Sequence, residues 1–159
     1  MPDSQSVTDR IVKRMELKAP ISRVWRALTD HREFGEWFRV KIDGPFVPGQ
    51  VSRGHITYPG YEHIQWEAVI QKMERERLFS FTWPHPKSFD KTGTQDYSGE
   101  PTTLVEFRLE KTPTGTLLTI IESGFDNLPA DRRLDAFRRN EGGWTEQMKN
   151  LEAYVTKKA

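Results

Sequence analysis

The sequence predicts an α+β fold in which a curved, seven-stranded antiparallel sheet wraps around one long C-terminal helix. Between residues 38 and 123, apolar side chains alternate with polar ones in short runs that turn-like segments separate. This period of two indicates half-buried strands joined by hairpins, as in an antiparallel sheet. After Pro129, apolar residues recur at spacings of three and four, which indicates an amphipathic helix. A helix with one apolar stripe needs an apolar trough, and the sheet supplies it.

The N-terminal segment predicts one strand followed by two short helices. Residues 10–17 show the alternation of a strand. Pro20 suits the first turn of a helix, because its missing N–H would have no partner there, and apolar residues follow at i, i+3, i+4 and i+7 from Ile21. Asp30 begins a second helix, with Glu33 three residues later as a capping-box signal.

Six further strands complete the predicted sheet. The alternation places them at residues 38–42, 51–58, 64–73, 78–83, 102–110 and 116–123. The polar loop at residues 84–101 exceeds normal connection length, and such loops are usually functional or disordered. We interpret it as a lid or an interface element, with an inert packed excursion as the alternative.

The final helix is the clearest pattern in the sequence. Pro129 starts it, with Asp126 or Asn127 as the cap. The expected inward stripe consists of Leu134, Phe137, Glu141, Trp144, Met148, Leu151 and Val155. The glycines at 142 and 143 each cost a helix about 1 kcal/mol relative to alanine. We therefore expect the backbone to approach the sheet or a ligand closely there, with a helix bend as the alternative.

Composition limits the classes of function. The 159 residues carry 24 basic and 23 acidic groups, a net charge of +1, without a basic stripe, so a nucleic-acid partner is not expected. The absence of cysteine excludes disulfides, thiolate zinc sites and cysteine-ligated iron–sulfur clusters. No apolar run approaches the roughly 20 residues of a membrane helix, and the N-terminus lacks signal-peptide character. We expect one cytoplasmic domain over residues 1–159, with a flexible tail at residues 1–8 and no membrane insertion.

Five short motifs resemble one protein family. They are residues 24–30 (VWRALTD), 37–38 (WF), 78–83 (LFSFTW), 123–125 (SGF) and 143–144 (GW). In this order they resemble the SRPBCC (START-related) superfamily, and more narrowly its bacterial branch similar to activators of the heat-shock protein 90 ATPase. The resemblance implies a helix-grip fold with a cavity between sheet and helix, in which members hold hydrophobic ligands. A flavin and iron–sulfur reductase role, described for some relatives, is excluded because no cysteine could ligate the cluster, so no cofactor is expected.

Aromatic residues on the inward faces are the candidate lining of that cavity. The chain has five Trp, nine Phe and four Tyr, and ligand pockets are mostly walled by such side chains. The candidates are Trp66, Phe79, Phe81, Trp83, Phe107, Phe125, Phe137, Trp144 and Met148. The alternative for each is that it fills the core without contacting a ligand.

Two glutamates are the candidate polar groups of the site. Glu122 shares the inward parity of Leu118 and Ile120, and a buried carboxylate must find a partner or raise its pKa. It is a candidate ligand anchor or catalytic acid/base, with a structural hydrogen bond or solvation at the strand end as the alternative. Glu141 interrupts the helix stripe and either faces the cavity or lies exposed at its edge. The four histidines lack metal-ligand spacing, so no metal is expected.

The favoured function is binding of a small hydrophobic or aromatic molecule, buried against aromatic walls and oriented by one or two polar anchors. An enzyme acting on such a ligand through Glu122 is the second hypothesis, although no nucleophile motif such as G-x-S-x-G is present. A co-chaperone-like interaction protein, as the family suggests, is the third, and the balanced charge offers no obvious chaperone-binding face for it. Ligand identity and homodimer formation stay open.

Overall fold

The computed structural model describes residues 10–86 and 99–156. One strand is followed by two short helices, six further strands, a short 3-10 helix and a long helix. The elements are β1 (Arg10–Leu17), α1 (Ile21–Thr29), α2 (His31–Phe38), β2 (Val40–Ile42), β3 (Val51–Ile56), β4 (Gln65–Glu74), β5 (Leu78–Pro84), β6 (Thr102–Thr112), β7 (Gly115–Ser123), the 3-10 helix (Phe125–Asn127) and α3 (Ala130–Thr156).

The seven strands form one antiparallel sheet in the order β1-β7-β6-β5-β4-β3-β2. From β2 to β7, each strand pairs with its neighbour in the chain. The first strand, β1, pairs with β7, so β1 and β2 form the two edges of the sheet. The predicted α+β class, the strand number and the two short helices after β1 are confirmed.

The inward face of the sheet packs against α3 and forms the core. In β4 the inward residues Trp66, Ala68 and Ile70 are buried, as a period of two predicts. The strands β6 and β7 repeat the pattern, with Phe107 and Ile120 among their buried residues. Burial of each large apolar side chain stabilises the fold by about 1.5–3 kcal/mol, so this face supplies much of the driving force for folding.

The junction between α1 and α2 contains the predicted cap. Asp30 accepts hydrogen bonds from the backbone N–H groups of Arg32 and Glu33, at 2.9 and 3.3 Å. The Glu33 side chain, expected to complete a capping box, instead accepts from Arg23 at 2.6 Å and from the Tyr154 hydroxyl at 3.1 Å. Glu33 therefore ties all three α-helices together.

The strand predicted at residues 38–42 begins two residues later than expected. Phe38 is the last residue of α2, and Arg39 ends that helix in the left-handed region, with φ at 70°, before β2 starts at Val40. The left-handed residue turns the chain within one step, as at many helix C-termini. Phe38 packs against the core although it lies outside the sheet, which is why its alternation with Val40 imitates a strand.

Other boundaries differ from the prediction at the turns. The strand β3 ends at Ile56, two residues early. The β6–β7 hairpin is tighter than predicted, because Thr112 pairs with Gly115 across the turn. The predicted lid lies largely at residues 87–98, outside the described residues. Near its two ends, the backbone N–H of His85 donates to the carbonyl of Pro101 at 2.8 Å.

The long helix has the predicted stripe from Trp144 onward but not at its start. The last four residues of the predicted stripe are buried. Leu134 is 44% exposed, and Ala136 takes the buried position near the beginning of α3, so the prediction for Leu134 is wrong. Asp126 and Asn127 belong to the preceding 3-10 helix rather than to the cap of α3.

The outer side of α3 is open at its two glycines. A Cβ at Gly142 or Gly143 would meet no atom within 4 Å, so the expected close approach of the backbone to the sheet is wrong. Both positions are exposed. Among the helices of residues 10–86 and 99–156, none is long and apolar enough to span a lipid bilayer.

Candidate functional site

A buried carboxylate lies where the end of β7 meets the middle of α3. Glu122 is fully buried, with no exposed surface. Its oxygens accept hydrogen bonds from the indole N–H groups of Trp83 and Trp144, both at 2.8 Å, and from the Thr103 hydroxyl at 2.5 Å. The Asn140 amide lies 3.0 Å from both carboxylate oxygens. The predicted inward orientation of Glu122 therefore holds, and its partners come from β5, β6 and α3.

His85 completes this cluster and can be assigned a tautomer. Its Nε2 lies 2.8 Å from Thr103 Oγ1 and 3.3 Å from Glu122 Oε2. Thr103 has one hydroxyl hydrogen, which points at Glu122, so its oxygen can only accept from the imidazole. Both neighbours of Nε2 are then acceptors, and hydrogen-bond accounting assigns the proton to Nε2.

The hydrogen bonds keep Glu122 ionised in spite of its burial. Burial by itself raises the pKa of this carboxyl, but the hydrogen bonds from His85, Thr103, Trp83 and Trp144 outweigh burial and hold the pKa below its ordinary value. Several N–H and O–H groups thus replace the water that a carboxylate would otherwise bind. The resulting cluster, which we call the Glu122 cluster, fastens α3 to the sheet.

An apolar cleft of about 150 Å³ opens beside the Glu122 cluster, between β3, β4, β5 and α3. We call it the inner cleft. Its lining is Phe38, Ile56, Ile64, Gln65, Trp66, Glu67, Trp83, Pro84, His85, Arg139 and Asn140. Trp83, His85 and Asn140 belong to both the lining and the Glu122 cluster, so the buried carboxylate holds part of the wall in place.

A wider groove of about 460 Å³ continues from the inner cleft along α3. We call it the outer groove. Its lining is Phe38, Arg39, Tyr58, Tyr61, Trp83, Arg139, Asn140, Gly143, Trp144, Glu146, Gln147 and Asn150. The two cavities share Phe38, Trp83, Arg139 and Asn140, so they lie side by side, and together we call them the depression. Tyr58 and Tyr61 are each 52% exposed at its rim.

The candidate lining residues divide between this depression and the core. Trp66 and Trp83 line the inner cleft, and Trp83 and Trp144 line the outer groove. The other apolar candidates line neither cavity: they are Phe79, Phe81, Phe107, Phe125, Phe137 and Met148. All of these except Phe137, which is half-buried against the Phe125 ring, are buried in the core. Glu141 is 49% exposed and forms an ion pair with Lys13 at 2.8 Å, outside both cavities.

Several residues of the depression did not emerge from the sequence. Asn140 lies three residues after Phe137 and four before Trp144, so the helical period could have found it. The alternation predicts a strand at residues 38–42, and this prediction conceals the position of Phe38 at the cleft. Thr103 shares the inward parity of Val105, Phe107 and Leu109, so the alternation of β6 could have found it. His85 lies after the end of β5, where no alternation applies, and it reaches Glu122 through the path of the chain. Tyr58 and Tyr61 lie between strands, where no periodicity applies.

The fold and the depression define a helix-grip protein of the SRPBCC superfamily. Residues 18–156 match the family described as "Activator of Hsp90 ATPase homolog 1-like protein". The chain belongs to this family.

Solved structures of several bacterial proteins are similar to this chain. A protein of Mesorhizobium loti is 25% identical, with a TM-score of 0.74 over 94% of this chain and 98% of that one. A protein of Arthrobacter aurescens is 17% identical, with a TM-score of 0.75 over 95% and 88%. DynU16, from the dynemicin biosynthetic locus, is 21% identical, with a TM-score of 0.70 over 93% of this chain and 47% of that one. No curated protein matches the sequence.

Proposed function

We propose that this protein binds a small hydrophobic or aromatic molecule in the inner cleft. The observation that carries the proposal is an aromatic wall of Phe38, Trp66 and Trp83 beside the inner cleft, in which Phe38 and Trp83 are only half-buried. The ring centroids of Phe38, Trp66 and Trp83 lie 5.6–6.3 Å from one another, at steep angles. Concave, mostly apolar sites with a few fixed polar groups are typical ligand sites.

The dimensions of the depression support a ligand of one or two rings. An apolar cavity of about 150 Å³ holds a molecule of the size of benzene. The inner cleft has that volume, and the outer groove adds about 460 Å³ along the helix. A ring that enters the inner cleft can therefore continue into a larger body or substituent that lies in the groove.

The geometry of Glu122 supports a positioning role rather than acid/base catalysis. A general acid needs a proton at working pH, whereas hydrogen bonds lower the pKa of Glu122. A general base needs a free lone pair within reach of the substrate, whereas donors from five residues surround this carboxylate. Glu122 instead holds Trp83 and Asn140, which both line the inner cleft.

Titration with the neutral fluorophore N-phenyl-1-naphthylamine tests the proposal. We expect its fluorescence to rise on binding to the wild-type protein. Phe38→Ala should weaken the affinity about tenfold or more, because losing a ring contact costs about 1.5–3 kcal/mol and each 1.4 kcal/mol is tenfold. Phe137→Ala is the matched control, since Phe137 is also half-buried but lines neither cavity.

Equal affinity for both variants, or no binding by the wild-type protein, would refute the proposal. Near-ultraviolet circular dichroism establishes that each variant is folded before titration. Native mass spectrometry of the purified protein adds an independent readout, since a bound cellular ligand appears as a mass increment. We expect Phe38→Ala to lose that increment and Phe137→Ala to keep it.

A further inference from the structure

We propose that the ligand is an amphipathic anion, whose aromatic body lies in the inner cleft and whose carboxylate, sulfonate or phosphate group binds Arg139. This inference rests on the proposed function and names the chemical class of the ligand. Arg139 binds the anionic group of the ligand, and Arg39 adds a second positive charge at the rim of the outer groove.

Among the residues that the structure describes, Arg139 is the only arginine that lines both cavities. It projects from α3 and is exposed. None of the ion pairs among residues 10–86 and 99–156 includes Arg139, whereas other arginines pair with carboxylates, among them Arg23, Arg53 and Arg108. A guanidinium without an acidic partner, at the opening of an apolar cleft, can bind an oxyanion with two parallel hydrogen bonds.

Arg39 supplies a second positive charge to the outer groove. Its guanidinium lies over the Tyr58 ring, 5.6 Å from the centroid, and Tyr58 also lines the groove. Arg39 has a positive φ of 70°, which is uncommon for a residue other than glycine. The left-handed backbone and the cation–π contact together direct this charge to the groove rim.

The carboxylates of the depression already have partners. Glu67, in the inner cleft, lies 3.6 Å from Arg53, and Glu146, in the outer groove, lies 3.5 Å from Lys149. Glu122 is sealed beneath its donors and has no exposed surface. Within residues 10–86 and 99–156, the positive charges of Arg139 and Arg39 are therefore not matched by a free carboxylate in either cavity, and a ligand anion would match them.

The buried charge of Glu122 also sets the direction in which such a ligand lies. An anionic group placed deep in the inner cleft would be repelled by this carboxylate, which desolvation leaves poorly screened. The same group at the outer end gains the attraction of both arginines. The aromatic body consequently points towards Trp66 and the anion towards the outer groove.

Two naphthylamine probes that differ by one sulfonate test the inference. They are 8-anilinonaphthalene-1-sulfonate and N-phenyl-1-naphthylamine, the same ring system without the charge. We expect the wild-type protein to bind the sulfonate about tenfold tighter, as a charge-assisted hydrogen bond allows. Arg139→Gln should remove this preference, because it should weaken binding of the sulfonate about tenfold more than binding of the neutral probe. An increase from low to high salt should reduce the preference as well.

Arg138→Gln is the matched control, because Arg138 is the preceding residue of α3, is also exposed and lines neither cavity. It should leave both affinities unchanged. Displacement by 1-naphthoate at about tenfold lower concentration than by 1-naphthamide would show that a carboxylate serves as well as a sulfonate. Inorganic phosphate alone should not displace either probe.

The outcomes separate this inference from the proposed function. If the neutral probe binds in the cleft but the sulfonate brings no gain, or if Arg138→Gln and Arg139→Gln weaken the sulfonate equally, the anion site is wrong and the apolar site stands. If neither probe binds, the proposed function fails and the anion site falls with it. Thermal unfolding of each variant excludes sulfonate binding to partly unfolded protein.

Discussion

Two parts of the sheet–helix interface hold aromatic rings at similar spacing but differ in how they are closed. In the core, Phe79 and Phe107 stack with ring centroids 6.0 Å apart, and both are wholly buried. At the inner cleft, the centroids of Phe38 and Trp83 lie 6.3 Å apart, yet both side chains are only half-buried. The aromatic content of the two regions does not distinguish them, so the distinction must come from what covers the rings.

The residues of α3 account for the difference. Towards the C-terminus of α3, Met148, Leu151 and Val155 are buried in the core cluster. Beside the inner cleft, α3 contributes the short Asn140 and Arg139, whose side chain is exposed. One helix thus closes one part of the sheet with large apolar side chains and leaves the other part open. The candidate binding site lies where α3 places no large apolar side chain over the aromatic rings of the sheet. The Glu122 cluster lies at the boundary between the two parts.

Truncation of a core ring should give the largest effect on stability. We expect Phe107→Ala to lower the free energy of unfolding by about 3–5 kcal/mol, as is usual for a fully buried phenylalanine. Urea titration measures this loss. Because Phe107 lines neither cavity, the folded fraction should bind N-phenyl-1-naphthylamine within about twofold of wild type. If the free energy of probe binding falls as much as the free energy of unfolding, the core and the inner cleft are not separate. If Phe107→Ala is too unstable to measure, the milder Phe107→Leu allows the same comparison.

Substitution of the boundary carboxylate should affect both parts. Glu122→Gln places an amide N–H₂ where one oxygen now accepts hydrogen bonds, so buried donors such as Trp144 Nε1 lose a partner. We expect a loss of about 2–4 kcal/mol in urea unfolding, together with weaker probe binding, because Asn140, which lines the inner cleft, loses one of its two acceptor oxygens. Glu141→Gln is the control, since its ion pair with Lys13 is exposed and should contribute at most about 1 kcal/mol. Equal, small losses for both variants would contradict the assigned role of Glu122.

Protonation of Glu122 should account for part of the loss of stability at low pH. The pKa of Glu122 is lower in the folded state than its ordinary value of about 4.3, so near pH 4 the unfolded state binds more protons. Its stabilisation is therefore complete above about pH 5 and is lost as pH falls through the folded-state pKa. We expect Glu122→Gln to flatten the decline in unfolding free energy between pH 5 and 3 by up to about 1.4 kcal/mol per pH unit.

The control for this pH dependence is again Glu141→Gln, which should keep the wild-type slope. Some acid sensitivity should remain in both variants, because hydrogen bonds also lower the pKa of Glu33 and Glu16. Identical slopes for wild type and Glu122→Gln would contradict the ionised state that the cluster indicates.

The smallest effect is expected at the open side of α3. Gly142→Ala should raise the free energy of unfolding by up to about 1 kcal/mol, because a Cβ there meets no atom and alanine restricts the unfolded chain. Gly115→Ala is the contrast: a Cβ there would lie 2.1 Å from the carbonyl oxygen of Leu17, so this variant should be destabilised. A loss of stability in Gly142→Ala would mean that a close contact closes this part of the helix after all.

Much of the site could be predicted, and the remainder depends on long-range pairing. Glu122 was placed inward by its parity with Ile120, since side chains on a strand alternate strictly. Thr103 has the inward parity of Val105, but its contact with Trp83 depends on the register in which β6 pairs with β5, and alternation does not determine that register. The strand predicted from Phe38 is wrong at its start. Phe38 ends α2, and only Arg39 separates it from Val40 of β2, so the apolar–polar alternation of the strand extends by chance into the helix.

The sequence by itself determined the sheet, the long helix and the inward orientation of most aromatic residues and of Glu122. These properties follow from periodicity, which reports the direction of a side chain relative to its own element. The tertiary structure alone decided which inward residues are packed and which line a cavity, because that depends on the distance between the sheet and α3. Phe79 and Trp83 have the same parity on β5, yet one is sealed in the core and the other lines the inner cleft. Periodicity contains no information on what lies opposite, and so the depression had to be found in three dimensions.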